Sequence, residues 1–353
     1  MTECGRHSPG CNKTGIIANS RAEFKGADNN SRQILFLLSN EIELVRLKRV
    51  RCSIGELENF PDVGLYPAMH VKKISSRQVV VGAPAKINLF LEVLNRRKDG
   101  YHNINSLFQA VSLFDRLTFT RTDSHEGARV KLTEPADVPT DEGNLIVRAF
   151  NLLRDRFDII DGIDVELEKN IPVAAGLAGG SSDGAATILA GAILFDLPLS
   201  FAEMADLGLE LGSDLPFFFT HGQALVGGRG EEIRETRFPA DYWLVLVTPE
   251  MEISTAEAYG QLSLRLTKSR IPFTLERCDT PQELVKSLSL TGNDFEEVHL
   301  KSYPELRRIR HELLDRGALL ARISGSGPSV FGFYCNAPEI DGGNLAGRVD
   351  WRT

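Results

Sequence analysis

The stretch of this chain richest in chemical possibility runs Lys169-Asn-Ile-Pro-Val-Ala-Ala-Gly-Leu-Ala-Gly-Gly-Ser-Ser-Asp-Gly184. It follows an alternating segment, Ile163, Val165 and Leu167 against Asp164, Glu166 and Glu168, that predicts a half-exposed strand. An apolar run predicted to be helical from about Ser182 to Phe195 comes after it. N–H groups at a helix start have no intrahelical partner, the helix dipole adds positive potential there, and glycines let a ligand approach the backbone. Phosphate binding is the chemistry that follows. The segment has neither the GK[ST] of a Walker loop nor a strand–GxGxxG–helix dinucleotide fingerprint. A flexible linker is the bland alternative, which the flanking strand and long apolar run disfavour. Gly180-Ser-Ser182-Asp-Gly184 also matches the GxSxG pattern of serine hydrolases. That elbow needs a buried strand entering the serine directly, and the residues before it are loop-like.

Other stretches add polar groups to apolar surroundings. In Ala83-Pro-Ala-Lys86-Ile-Asn88-Leu-Phe-Leu-Glu-Val93, alternation predicts a strand with Ile87, Leu89, Leu91 and Val93 on one face and Lys86 and Asn88 on the other. Such a face is either a site wall or a solvated edge. Asp214, in Leu211-Gly-Ser-Asp-Leu-Pro-Phe217, stands between a glycine turn and an expected apolar strand, where an Asp is commonly a turn or helix cap. Ser324-Gly-Ser-Gly-Pro-Ser329 joins an expected helix, about Pro304 to Leu320, to a strand, Val330 to Tyr334. So bare a backbone is a tight turn or a second wall near a ligand. Gly222 to Gly230 reads as a strand and hairpin with a structural role.

These segments need a scaffold, and the chain has material for one. Its 353 residues suggest about two domains, with 42% hydrophobic and 25% charged residues, so a core needs no disulfide or metal staple. The net charge of −8 argues against a nucleic-acid binder. Five scattered cysteines without a CxxC suit a reducing, cytoplasmic setting rather than a disulfide framework. The histidines show no zinc-ligand spacing. The longest apolar stretch, Ala185 to Phe195, is too short to span a bilayer, and no secretory signal is visible. Residues 1–71 are polar and turn-rich, and composition predicts a disordered N-terminal extension. Within it, Leu35, Leu38, Ile42 and Val45 fit a single helix. Organised chain is expected from about Met69, so that protein started there would keep full activity.

The strings PAKINLFL, RKDGYH, GNLIVRA, KNIPVAAGLAGGSSDGAA, LGSDLPFFF and SGSGPSVFGF occur in this order over about residues 72–336. In them the chain resembles the GHMP kinase superfamily of galactokinase, homoserine kinase, mevalonate kinase and phosphomevalonate kinase. The PAKINLFL and DGYH strings are similar to the 4-diphosphocytidyl-2-C-methyl-D-erythritol kinase family within it. The resemblance implies an α+β, two-domain GHMP-kinase-like fold: an ATP-binding N-terminal domain over 72–237 and a smaller C-terminal α/β sandwich domain over 238–353. It implies ATP-dependent phosphorylation of the 2-hydroxyl of 4-diphosphocytidyl-2-C-methyl-D-erythritol, a step toward isoprenoid precursors by the non-mevalonate route. Mg²⁺ is expected with ATP, held mainly by phosphate and water with no protein ligand assigned. The partners implied are a small-molecule substrate, no nucleic acid and no membrane, in a monomer or homodimer.

Carried over residue by residue, Asp214 matches the catalytic acid residue and Lys86 its basic partner. Pro172, Val173, Ala174, Ala175, Gly176, Leu177, Ala178, Gly179, Gly180, Ser181 and Ser182 match the nucleotide loop. Asn144, Leu145 and Lys169 match positions lining the adenosine pocket. Asn88, Tyr101, His102, Thr255 and Tyr259 match the substrate side, with Tyr259 where an aromatic stacks on cytosine. After Tyr334 the family continues with a helix and a closing strand, whereas the tail 336–353 lacks helical apolar spacing, so the second domain is expected to be truncated. Another kinase of the superfamily, a silent nucleotide binder and the serine hydrolase stay open as alternatives. The DGYH string speaks against the first, and Lys86 with Asp214 against the second.

Overall fold

In chain order the elements are β1 (Gln33–Leu38), β2 (Glu41–Arg46), β3 (His70–Ser75), β4 (Gln78–Arg96), β5 (His102–Thr122), β6 (Ala128–Leu132), α1 (Leu145–Phe157), β7 (Gly162–Glu168), α2 (Gly179–Leu194), α3 (Phe201–Leu211), β8 (Gln223–Gly227), β9 (Glu232–Glu235), β10 (Trp243–Thr248), α4 (Thr255–Gln261), α5 (Pro281–Leu288), α6 (Glu296–Ser302), α7 (Pro304–Asp315), β11 (Leu320–Ile323) and β12 (Val330–Tyr334). They come from a computed structural model describing residues 33–38, 41–46, 68–239, 242–262, 278–336 and 338. The rest of the expected N-terminal extension and nearly all of the tail lie outside these residues.

Two sheets organise the chain. One runs β3-β4-β5-β7-β6, with β8 pairing β5 and β9; the other runs β11-β12-β10-β1-β2. This mixture of helices and two separate sheets agrees with the expected α+β architecture. Among the described residues, no helix is long and apolar enough to cross a membrane.

The long strand β4 departs from simple alternation. Its pairing with β5 shifts register between Pro84 and Ala85 and again between Asn88 and Phe90. At the first shift two residues of β5 go unpaired and β4 gains none; at the second Leu89 is an extra residue of β4, which turns the following side chains to the opposite face. Val79, Val81 and Ala83 therefore join one core cluster, Ala85, Ile87, Leu89 and Phe90 a second, and Leu91 and Val93 the first again. The expectation of one apolar face for Ile87, Leu89, Leu91 and Val93 is corrected accordingly. The second cluster also contains Leu244, Leu246, Phe331 and Phe333, so the middle of β4 is covered by the other sheet. Residues Ala83 to Val93 are consequently buried without interruption, Lys86 and Asn88 included.

Five further expectations change. The single helix expected near residues 34–50 is instead the antiparallel pair β1 and β2, with β1 parallel to β10 in the register Ile34↔Leu244. Turn-forming Ser39-Asn40 divides the apolar stretch, Glu41-Ile-Glu-Leu alternates with period two, and β10 offers an edge for backbone pairing. A disordered extension is thus corrected at 33–38 and 41–46. The residues after Asp214 form a 3-10 helix, Leu215–Phe219, rather than a strand, because Pro216 lacks the N–H a sheet interior requires. Helix α2 starts at Gly179, three residues before the expected Ser182, and α7 ends at Asp315 before Gly317, which takes φ +86.

Candidate active site

A cleft of about 1150 Å³ is lined by residues drawn from between Lys86 and Ser326. It exceeds the usual volume of a single small-ligand site, roughly 300–1,000 Å³, and has room for two ligands side by side. One wall is the turn from Pro172 to Ser181, where β7 passes into α2. Ala178 is the N-cap in the left-handed region, φ 55, and its side chain has no polar atom to cap the helix. The first amides of α2, from Gly179 onward, therefore have no intrahelical acceptor and are available to an anion. Gly179, Gly180 and Ser181 line the cleft, whereas the Leu177 and Ser182 side chains do not. Ser182 is fully buried within the helix, and its Oγ has no hydrogen-bond partner among the described residues. That placement, away from any elbow and without a base, removes the serine hydrolase alternative.

The turn is held by a second glycine-rich segment. Ser324 Oγ donates to the Gly176 carbonyl at 3.0 Å, and the Ser329 N–H donates to the Ala175 carbonyl at 3.3 Å. Gly176 has φ +76, and a Cβ there would lie 2.3 Å from the Ser324 carbonyl oxygen. Only glycine lets the two backbones approach so closely. Of the two readings of Ser324–Ser329 the second wall is the observed one, since Gly325 and Ser326 line the cleft. His299 Nε2 lies 3.0 Å from the Ser326 carbonyl, and Thr255 Oγ1 lies 2.9 Å from Ser326 Oγ, bringing α4 to the same rim.

Lys86 and Asp214 face each other across the cleft floor, Lys86 Nζ 3.6 Å from Asp214 Oδ2. Asp214 does not act as a cap: its carboxylate makes no capping hydrogen bond to the short helix that follows. Lys86 is 4% exposed, donates to Asn88 Oδ1 at 2.6 Å and lies 4.4 Å from the Phe108 ring centroid. Burial pushes the Lys86 ammonium below the usual lysine range, and Asp214 works against that shift. Asn88 Nδ2 donates in turn to Ser106 Oγ at 2.9 Å, so this side chain positions Lys86.

At the other end stand Tyr101, His102 and Tyr259. His102 and Tyr259 stack with centroids 5.1 Å apart, and the Tyr259 and Phe295 rings meet nearly perpendicular at 4.9 Å. A base inserted between His102 and Tyr259 would need about 7 Å, two contacts of roughly 3.5 Å. The Tyr259 face expected to receive cytosine thus carries His102 here, while Tyr101 is 55% exposed. Burial, then the charge of Arg96, lowers the His102 pKa, favouring the neutral ring. Burial, then Asp214, pushes the Tyr259 phenol up to about 12.

Two expected adenosine-pocket residues are already committed. Asn144 Oδ1 accepts from the Ile146 N–H at 2.8 Å as the N-cap of α1, and its Nδ2 donates to the Pro139 carbonyl at 2.7 Å. Lys169 donates to Asp115 and, at 3.0 Å, to Asp183, while Asp115 also accepts from the N–H groups of Asn170 and Ile171. This cluster clamps the base of the glycine turn, and both Lys169 and Leu145 line the cleft. Arg96 and Arg229 also line it. The hairpin containing Arg229 was expected to be purely structural; only its position beside Tyr101 reveals the residue.

Comparison with known proteins bears on the whole arrangement. The family profile described as GHMP kinases N terminal domain matches residues 144–222, and that described as GHMP kinases C terminal matches 277–343. A 4-diphosphocytidyl-2-C-methyl-D-erythritol kinase of Exiguobacterium sibiricum is 40% identical over 254 residues, covering 72% of this chain and 88% of the relative. The enzyme of the same name from Bacillus velezensis is 41% identical over 257 residues with the same coverage. A crystal structure of 4-(cytidine 5'-diphospho)-2C-methyl-D-erythritol kinase aligns at 30% identity and a TM-score of 0.60, covering 76% of this chain and 93% of its own. A homoserine kinase structure from Cytophaga hutchinsonii, at 19% identity and TM-score 0.54 over 79% of this chain and 90% of its own, shares the fold.

Proposed function

The chain belongs to the 4-diphosphocytidyl-2-C-methyl-D-erythritol kinases within the GHMP kinases, and on that footing we propose that it phosphorylates the 2-hydroxyl of 4-diphosphocytidyl-2-C-methylerythritol from ATP, in the non-mevalonate route to isoprenoid precursors. The observation that carries this reading is one cleft holding the glycine turn, the Lys86–Asp214 pair and the His102–Tyr101–Tyr259 aromatics together. Residues 72–237 supply the nucleotide side and 238–353 the smaller second domain.

The nucleotide fits what the residues offer. Free amides from Gly179 to Ser181 face the cleft, and Gly176 keeps the turn bare. Leu145 and Val173 supply apolar cover for the adenosine. Among the described residues, no group of three or more His, Cys, Asp or Glu could hold a metal ion. Mg²⁺, expected with ATP, would be held mainly by phosphate oxygens and water and would neutralise phosphate charge.

At the acceptor, the alcohol proton passes to the Asp214 carboxylate as the hydroxyl oxygen bonds to the γ-phosphorus. The bond from that phosphorus to the β–γ bridging oxygen breaks, and ADP leaves. Lys86, 3.6 Å from Asp214, offers positive charge to the transferring group. Its low exposure makes that charge more effective than it would be in water. Asn88, fixed by Ser106, keeps the ammonium aimed at the cleft. Neutral His102 can hydrogen-bond the cytosine edge, and exposed Tyr101 offers a ring face.

A coupled ADP-release assay comparing the cytidyl substrate with mevalonate and homoserine tests the reading. Turnover with the cytidyl substrate alone is expected. Preference for either of the other two alcohols, or ADP release indifferent to all three, would overturn it.

A further inference from the structure

Four long basic side chains line the cleft: Lys86, Arg96, Lys169 and Arg229. Two have protein carboxyl groups beside them, Lys86 that of Asp214 and Lys169 those of Asp115 and Asp183. Among the described residues, neither Arg96 nor Arg229 has a carboxylate within ion-pairing distance. Half-buried Arg229 places its guanidinium carbon 5.2 Å from the Tyr101 ring centroid. A guanidinium laid on a ring satisfies its face and leaves its in-plane N–H donors free. Arg229 helps to lower the pKa of the Asp99 carboxyl and its backbone N–H donates to Glu231, but its guanidinium forms no ion pair among the described residues, and such a cation on the wall of a cleft is suited to an anionic ligand.

The fold fixes where along the cleft this cation stands. Arg229 is the second of the four turn residues 228–231 between β8 and β9. On one side, the Gly228 carbonyl accepts from the Ile104 N–H at 2.7 Å, two residues beyond His102. On the other, Gly230 lies against Ser213, so that a Cβ at Gly230 would meet Ser213 Cβ at 2.8 Å, one residue before Asp214. The turn is therefore pinned at once to the strand carrying the base-side histidine and to the segment carrying the acceptor-side acid. A cytidyl-diphospho alcohol spanning these two ends carries its diphosphate between them.

We infer that Arg229 is a specificity-determining residue that binds the diphosphate linking cytidine to the acceptor alcohol. The inference rests on the proposed substrate and deepens it. Arg96, exposed and felt electrostatically by His102, stands nearer the base and has the lesser part.

Calorimetric binding of CDP and of cytidine to wild type, Arg229→Gln and Arg229→Lys, with substrate kinetics alongside, tests this. Wild type should bind CDP far more tightly than cytidine. Arg229→Gln should shrink that margin by roughly 10- to 100-fold, the scale of one charge-assisted hydrogen bond. Cytidine affinity and the KM for ATP should stay put, whereas a merely structural residue would weaken CDP and cytidine alike. Arg229→Lys should recover part of the margin, keeping the charge without the planar fork, and added salt should narrow the difference between variants. An unchanged CDP-to-cytidine ratio in Arg229→Gln, with wild type turning over the cytidyl substrate, overturns this inference and leaves the proposed function standing. Absence of wild-type turnover with that substrate overturns both.

Discussion

Replacing Gly176 by alanine tests how the nucleotide cradle is built. At φ +76 the new side chain would cost about 1–2 kcal/mol in backbone strain alone. Its Cβ would also start 2.3 Å from the Ser324 carbonyl oxygen and 3.0 Å from that of Gly327. An ordinary carbon–oxygen contact is about 3.3 Å, so the two glycine-rich segments must part by about 1 Å. That separation lengthens the Ser324 Oγ to Gly176 carbonyl bond, now 3.0 Å, whose loss costs about 1 kcal/mol. Together these come to roughly 3 kcal/mol, a fall in thermal midpoint on the order of 4 °C for a protein of this size. The KM for ATP should rise as well. Gly180→Ala is the companion: its nearest neighbour is Leu145 Cδ1 at 3.8 Å, an ordinary contact. Helical geometry favours alanine there by about 0.5–1 kcal/mol, so the midpoint should hold or rise. The added methyl nevertheless stands on the phosphate-facing surface, and the KM for ATP should increase. Thermal unfolding and initial-rate kinetics on both variants decide the matter. A Gly176→Ala protein with unaltered midpoint and KM would refute the reasoning, as would a Gly180→Ala protein that loses stability as severely.

Asp214→Asn should lower kcat by about 10²- to 10⁴-fold with nucleotide binding retained, and near-normal ADP release would remove this carboxylate from the reaction. His102→Ala should raise the KM for the cytidyl substrate and leave that for ATP alone; movement of the ATP value instead would relocate the base pocket. Asp183 shares one ammonium, Lys169, with Asp115, and burial followed by the charge of Asp115 pushes it from 3.8 up to about 8. The folded chain then holds that proton more tightly than the unfolded one, so stability is fullest below the ordinary aspartate value and declines as pH rises to about 8. Asp183→Asn should flatten that decline; midpoints that follow the wild-type pH dependence would contradict the cluster's reading. Finally, a chain begun at Met69 keeps every proposed site residue but loses β1 and β2, leaving the β10 edge unpaired. Its kcat per folded molecule should match the full chain while its midpoint drops, and unchanged stability would show that these strands contribute nothing.

Much of the site was legible because local pattern and local chemistry coincide there. Strand, bare turn and apolar helix around Gly176 can be read from periodicity and glycine content, and so can the joint position of Lys86 and Asn88. What escaped depends on contacts between distant residues. No local signal marks the β4 bulges, which arise from pairing with β5 and send Ile87 and Leu91 to different cores. Lys169 is expected only to line the adenosine pocket until Asp115, 54 residues away, is placed beside it. Arg229 is one arginine in a hairpin until that hairpin is laid against Tyr101 and Ser213. For residues 33–46, helical and strand periods fit the same few apolar positions, and the available edge of β10 decides between them.

The contact between Gly176 and Ser324 joins backbones 148 positions apart. During synthesis the glycine turn therefore leaves the ribosome long before its buttress exists. A nascent chain stalled ahead of Ser324 can hold the first sheet yet present a slack, poorly shaped receptacle for triphosphate. Nucleotide could then act as a folding aid only at the close of translation, and fragments ending before that serine would be poor scaffolds for screening ATP-competitive compounds.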